Sequence, residues 1–202
     1  MVQTISPSPH DTVPRLTLDF TSIRLTAAQF ENLCRDNPEL RLELTSKGEL
    51  IVMPPTGSKT GLRNFNLNGQ LRNWVEKDRT GVAFDSSTGF TLPDDAIRSP
   101  DASWVRKERW DALTEEEREG FAPLCPDFVI ELRSLENTLK PLQEKMQEYL
   151  SNGARLGWLI DPFERRVYIY RAGSEVEVLS DSETVSADPI LPGFVLQLAE
   201  LW

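Results

Sequence analysis

Apolar positions along the chain change their period several times, and each change marks an element. Thr26-Ala27-Ala28-Gln29 has the form of a capping box, with Phe30, Leu33 and Cys34 following at helical spacing. A first short helix is therefore expected, ending near Asp36-Asn37-Pro38. Leu40, Leu42 and Leu44 then alternate with Arg41 and Glu43, the pattern of a strand with one buried face. Lys47-Gly48 turns the chain back into Glu49–Met53 as a hairpin. After the break at Pro54-Pro55-Thr56-Gly57, a helix is predicted over Lys59–Lys77, with Leu67, Leu71, Trp74 and Val75 on one face. Short strands are expected at Val82–Asp85, Gly89–Leu92 and Ala102–Val105, and one helix over Trp110–Gly120, helped by a capping box at Thr114-Glu115-Glu116-Glu117.

The second half is more regular. Phe128-Val129-Ile130-Glu131-Leu132 is β-branched and nearly all apolar, as in a central strand covered on both faces. Leu139–Asn152 places Leu142, Met146, Tyr149 and Leu150 on one helical face, and Gly153 ends it. Leu156–Ile160, Arg165–Tyr170 and Glu175–Leu179 read as strands, and the segment from Leu191 to Trp202 is apolar enough to pack back on them. Residues 1–17, rich in Ser and Pro at the start, read as a mobile leader, and 18–202 as one α/β (α+β) domain.

Composition narrows the chemistry. At 202 residues the chain is long enough for one substantial core. It has no apolar run near the ~18 residues of a membrane span and no signal-peptide pattern, so a cytoplasmic protein with no membrane partner is expected. Cys34 and Cys125 lie far apart without metal-ligand spacing, and two buried free thiols are expected. The one histidine, His10, sits in the leader. Histidine zinc centres and Ser-His-Asp or Cys-His catalysis are thereby excluded. There is no phosphate-binding glycine loop. If the chain is an enzyme, its working groups are carboxylates, lysines and arginines, with or without a metal. The net charge of −10 opposes loose binding to nucleic acid but not a local basic rim round a metal-loaded cleft.

Glu131 is the residue hardest to accommodate, because a carboxylate among Phe128, Val129, Ile130 and Leu132 is costly to ionise without a cation. Asp101, after Pro100 at a strand start, offers a second hard oxygen ligand of the kind Mg²⁺ prefers. Each has a plainer reading: Asp101 as a turn residue, Glu131 as the partner of Arg133.

Together with neighbouring segments these residues resemble a known family. Pro100-Asp101, Glu131-Leu132-Arg133 and Lys145-x-x-x-Tyr149 resemble the PD-(D/E)xK nuclease superfamily. More closely, Leu42-Glu43-Leu44, Val52-Met53-Pro54-Pro55, Gly89-Phe90-Thr91-Leu92-Pro93, Trp158-Leu159-Ile160-Asp161-Pro162 and Leu191-Pro192-Gly193-Phe194 resemble the Uma-type family of proposed restriction endonucleases, from about Leu40 to Trp202. The resemblance implies a restriction-endonuclease-like mixed β-sheet flanked by helices. It also implies Mg²⁺, with Mn²⁺ as substitute, on Asp101 and Glu131, an additional acidic residue in Glu43, and DNA as substrate.

The chain departs from that pattern in carrying Arg133 where the superfamily has its lysine. Arginine does not act as a base but stabilises phosphate charge. Lys145 takes the lysine's place, with Tyr149 on the same helical face, so Arg133 and Tyr149 are accessory candidates. The plainer readings put Glu43 on a solvent face and Lys145 in a solvated pair with Glu144 or Glu148. Arg106, Lys107 and Arg109 read as a solvated charge run or a phosphate-facing rim, and the five tryptophans as core or interface. The role of Ser58-Lys59-Thr60-Gly61 is open. Beside the DNA endonuclease stand two alternatives: a catalytically degenerate nuclease fold serving as a binding or scaffold module, and a metal-dependent phosphoesterase with a small substrate. A homodimer is what double-strand cleavage would call for.

Overall fold

A computed structural model describes residues 16–23 and 25–202. Of the expected leader, residues 1–15, His10 included, lie outside the described residues. Leu16 and Thr17 do not belong to a leader: they open β1 (Leu16–Asp19), facing Val52 and Ile51 in antiparallel pairing.

The first half continues with α1 (Ala27–Asp36), β2 (Arg41–Leu44), β3 (Glu49–Met53), α2 (Ser58–Asp78) and β4 (Gly81–Asp85). Next come β5 (Phe90–Thr91), β6 (Ile97–Arg98), β7 (Ala102–Arg106), α3 (Lys107–Asp111) and α4 (Glu115–Glu119). The second half holds β8 (Phe128–Leu132), α5 (Leu139–Ser151), β9 (Leu156–Asp161), β10 (Arg166–Arg171) and β11 (Glu177–Ser180). It closes with β12 (Thr184–Ser186), β13 (Val195–Gln197) and a 3-10 turn at Leu198–Glu200.

Six strands form a mixed sheet in the order β11-β10-β9-β8-β7-β4. Within it β8 and β9 run parallel, joined through α5, and every other pairing is antiparallel. This is the expected mixed sheet flanked by helices. A second, five-stranded antiparallel sheet has the order β1-β3-β2-β6-β5, and β12 pairs with β13.

All five residues of β8 are buried, and its side chains divide the core. Phe128, Ile130 and Leu132 face Leu67 and Leu71 of α2 and the C-terminal Phe194 and Leu196. Val129 points the other way, with Met146 and Tyr149 of α5. Helices thus cover both faces, as an uninterrupted apolar strand requires. Gly157 lets α5 lie close on the sheet, since a Cβ there would come 2.3 Å from Met146 and 3.3 Å from Val129. Gly153, at φ +105°, provides the left-handed residue that ends α5.

Three sequence expectations need correction. The single helix over Trp110–Gly120 is two, α3 and α4, because Thr114 takes the extended backbone of an N-cap and accepts from the Glu117 N–H. The capping box is present, but it starts a new helix instead of stabilising a continuous one. The alternation in β2 also fails: Leu40 is exposed and Glu43 buried, because both faces of this strand are covered. Of the two cysteines, both free, Cys125 is buried with its thiol pushed up to about 12 by desolvation, whereas Cys34 is only partly buried. Trp104 and Trp158 are core, and Trp74 packs on Trp104 and Phe194. Among the described residues no helix is long and apolar enough to cross a membrane.

Candidate active site

The two large sheets meet where β6 hands the chain to β7. Leu44 of β2 pairs with Ile97 of β6 in one sheet, and Ala102 of β7 pairs with Ile130 of β8 in the other. Ser99-Pro100-Asp101 crosses between them, so Glu43, from the first sheet, and Glu131, from the second, are brought together beneath α5.

Lys145 of α5 joins them. Its ammonium lies 2.7 Å from Oε1 of Glu43 and 2.7 Å from Oε1 of Glu131, and it donates to the Ser99 carbonyl at 3.3 Å. Glu43 also accepts from the Arg98 guanidinium and the Ser99 N–H, each at 3.1 Å. Arg98 reaches on to Glu148. Tyr149 donates its hydroxyl to Glu131 Oε1 at 3.1 Å. Asp101 is held separately: Oδ2 accepts from the Leu132 N–H at 2.8 Å and Oδ1 from the Asn64 side chain at 3.2 Å. Asn68, one turn along α2, donates to the Asp101 carbonyl at 3.0 Å.

These surroundings pull the two glutamates apart. Burial works to raise both. For Glu43 the ammonium of Lys145 and the guanidinium of Arg98 outweigh it and hold the carboxyl at about 2. For Glu131 burial, aided by the charges of Asp101 and Glu43, outweighs Lys145 and pushes the carboxyl up to about 7. Asp101 is likewise raised, chiefly by burial and against the Leu132 N–H. Lys145 is raised because Glu131 and Glu43 together exceed its own desolvation, so it stays an ammonium.

Asp101, Glu131 and Lys145 line a cleft of about 90 Å³, together with Arg41, Thr60 and Asn64. That is room for several waters or a hydrated ion and far less than a nucleotide needs. Ser58-Lys59-Thr60-Gly61 forms the first turn of α2, and through Thr60 contributes one wall. Among the described residues no group of three His, Cys, Asp or Glu side chains is placed to hold a metal ion. Asp101 and Glu131 are a pair of oxygen donors, not a closed cage.

Of the residues singled out from sequence, Asp101, Glu131, Lys145, Glu43 and Tyr149 are gathered here. Arg133 is not. β8 ends at Leu132, so the alternation that would place Arg133 beside Glu131 stops, and Arg133 instead pairs with Asp161 at 2.6 Å. The expected Arg133–Glu131 pair is thus replaced by Lys145–Glu131. Nor is Lys145 solvated or paired with Glu144 or Glu148, being 7% exposed. Glu43, at 0% exposure, is far from a solvent face. Arg106, Lys107 and Arg109 lie beyond the far end of β7 from Asp101, paired with Glu108, Asp111 and Asp127, and form no rim.

Sequence reading missed Arg98, Asn64 and Asn68. Asn64 and Asn68 carried a signal in their i, i+4 spacing beside Leu67 and Leu71 on the buried side of α2. Arg98 carried none beyond its place in Arg98-Ser99-Pro100-Asp101.

A family profile described as "Uma2: Putative restriction endonuclease" matches residues 27–199. No curated protein matches the chain. Among solved structures, the fold is similar to the 1.96 Å crystal structure of "a putative nuclease belonging to DUF820 from Anabaena variabilis ATCC 29413". The TM-score is 0.73 at 23% identity, over 88% of this chain and 97% of that one. At that identity the likeness is one of fold.

Proposed function

The chain belongs to the Uma2 family, and from that premise we propose that it is a metal-dependent nuclease hydrolysing phosphodiester bonds of DNA, with one divalent cation on Asp101 and Glu131. The observation that carries this reading is a convergence of carboxylates: Asp101 and Glu131 line one cleft, and the charges of Asp101 and Glu43 push on Glu131 although Lys145 lies against it. Arg41, on the cleft wall, adds a weaker and longer-range positive field.

The donor set fits Mg²⁺, with Mn²⁺ as substitute. Both ligands are hard oxygens, and Mg²⁺ commonly takes one or two carboxylates while keeping several waters, which this small cleft would admit. Among the described residues no hydrogen bond falls on Glu131 Oε2, leaving that atom to a cation. Such an ion polarises a phosphoryl oxygen and lowers the pKa of water.

The protein's own groups supply the rest. Glu43, ionised and fixed by Arg98 and the Ser99 N–H, keeps Lys145 charged and in place. Were a cation to draw Glu131, the Lys145 ammonium would be free to donate to a non-bridging phosphate oxygen, where negative charge builds up in the transition state. Tyr149 orients Glu131 through Oε1.

The test is incubation of the purified protein with plasmid and single-stranded DNA in Mg²⁺, Mn²⁺ or chelator. Metal-dependent cutting that disappears in Asp101→Ala and Glu131→Ala is expected. Equal cutting by all three proteins would refute the site, and none by any would favour a binding module. Nicks alone would indicate a single active chain, linear product the homodimer that double-strand cleavage calls for.

A further inference from the structure

Among the described residues, one arginine beside the cleft, Arg63, meets no counter-charge. Arg63 lies on α2 between Thr60 and Asn64, both of which line the cleft, and is 6% exposed. Among the described residues its guanidinium meets no carboxylate, and its enclosed Nε finds no acceptor. Its contact is the ring of Phe163, 5.6 Å from the guanidinium carbon to the ring centre. Arg133 covers the same ring at 5.4 Å, but it is neutralised by Asp161 and donates to the Asn137 carbonyl at 3.0 Å.

Enclosing a charge without a partner is costly, and a cation–π contact offsets only part of that cost. Burial accordingly pulls the Arg63 pKa down, though a guanidinium remains protonated. Nothing in the core asks for this charge. The planar fork of a guanidinium matches carboxylate and phosphate oxygens, and with no carboxylate against it among the described residues, phosphate is the partner a nuclease would bring. The 90 Å³ cleft cannot take a nucleotide, so a phosphodiester strand must lie across its mouth and continue over the adjoining surface. Arg63 stands on α2 beside two residues of the cleft wall, one residue before Asn64, whose side chain bonds Asp101. On a chain of net charge −10, an unpaired cation there counts for more than another paired one.

We infer that Arg63, seated on Phe163, anchors a backbone phosphate of the bound nucleic-acid strand next to the phosphate that is cut. This rests on the nuclease reading, and the shared chemistry, a phosphate, also belongs to small phosphorylated ligands.

Fluorescence anisotropy with labelled single-stranded and duplex oligonucleotides tests it. Wild type, Arg63→Gln and Arg63→Lys are titrated in chelator, so that no strand is cut, from low salt upward. Melting temperatures with and without inorganic phosphate are measured in parallel. Arg63→Gln is expected to bind about tenfold more weakly, with a salt slope smaller by about one, and Arg63→Lys to recover part of the loss. Arg63→Gln should melt no lower than wild type, because it removes an unpaired buried charge. Equal affinity and slope, or a much lower melting temperature, would overturn the inference in favour of a structural role. If wild type binds no oligonucleotide while phosphate raises its melting temperature and not that of Arg63→Gln, the anion seat stands for a small phosphorylated ligand and the strand anchor is refuted, the nuclease reading being decided separately by the metal-dependent plasmid assay. If neither ligand distinguishes the two proteins, the seat is refuted whatever the nuclease assay shows.

Discussion

The ammonium of Lys145 lies 2.7 Å from Oε1 of Glu131, so a lysine of α5 pairs with a carboxylate on a fully buried strand of the six-stranded sheet. The same ammonium is 2.7 Å from Glu43 of the other sheet. One side chain therefore holds the two sheets together at the point where Asp101 crosses between them.

Replacing Lys145 separates its role from that of Arg133. A charge that acts mainly in the transition state affects turnover more than affinity. Lys145→Ala is expected to cut single-turnover cleavage by roughly 10²-fold or more with metal binding largely kept. Arg133→Ala should leave cleavage nearly intact and lower stability by about 1–3 kcal/mol, since it strands the buried Asp161. Normal cleavage by Lys145→Ala beside a dead Arg133→Ala would reverse the two assignments.

Metal should stabilise the fold. A ligand bound only by the native state raises the melting temperature with its concentration, and here it would also offset the repulsion of Glu131 by Asp101 and Glu43. Millimolar Mn²⁺ or Mg²⁺ is expected to shift the wild-type melting temperature upward, and Asp101→Asn to lose most of the shift. An unresponsive wild type would speak against a site formed in advance.

What could be read from sequence follows from how far an apolar period reaches. The run Phe128–Leu132 identified a strand buried on both faces, and with it the oddity of Glu131. The i, i+4 spacing put Lys145 and Tyr149 on one face of α5, and both contact Glu131. Periodicity ranks the faces of one element, however, and does not say what covers them. Glu43 sat at a position that alternation assigns to solvent, and groups distant in sequence, Arg98, Ser99 and Lys145, meet it on that face. Arg98 was obscure for the same reason: its partners Glu43 and Glu148 come from β2 and α5. Arg133 was misplaced because a strand's alternation ends with the strand.

Acidity gives a third prediction, with opposite signs for the two glutamates. Glu131, raised to about 7 from 4.5, binds its proton more tightly folded than unfolded. The stability it contributes is full below 4.5 and is lost as pH rises through about 7. Glu43, held at about 2, contributes stability above 4.5 that is lost as pH falls toward 2. In chelator, urea unfolding of wild type should show stability falling by roughly 1–3 kcal/mol between pH 5 and 8, and Glu131→Gln should flatten that fall. Saturating metal should remove it too. A flat wild-type profile, or a slope unchanged in Glu131→Gln, would place the titrating group elsewhere.

The most direct measurement is the anomalous signal of Mn²⁺ in crystals of the protein. One ion per chain is predicted, within coordination distance of carboxylate oxygens of both Asp101 and Glu131, its remaining positions filled by water, with Glu43 still on Lys145 and Arg98. No ion in the cleft, or one bound elsewhere while Asp101 and Glu131 keep their present partners, would contradict the account.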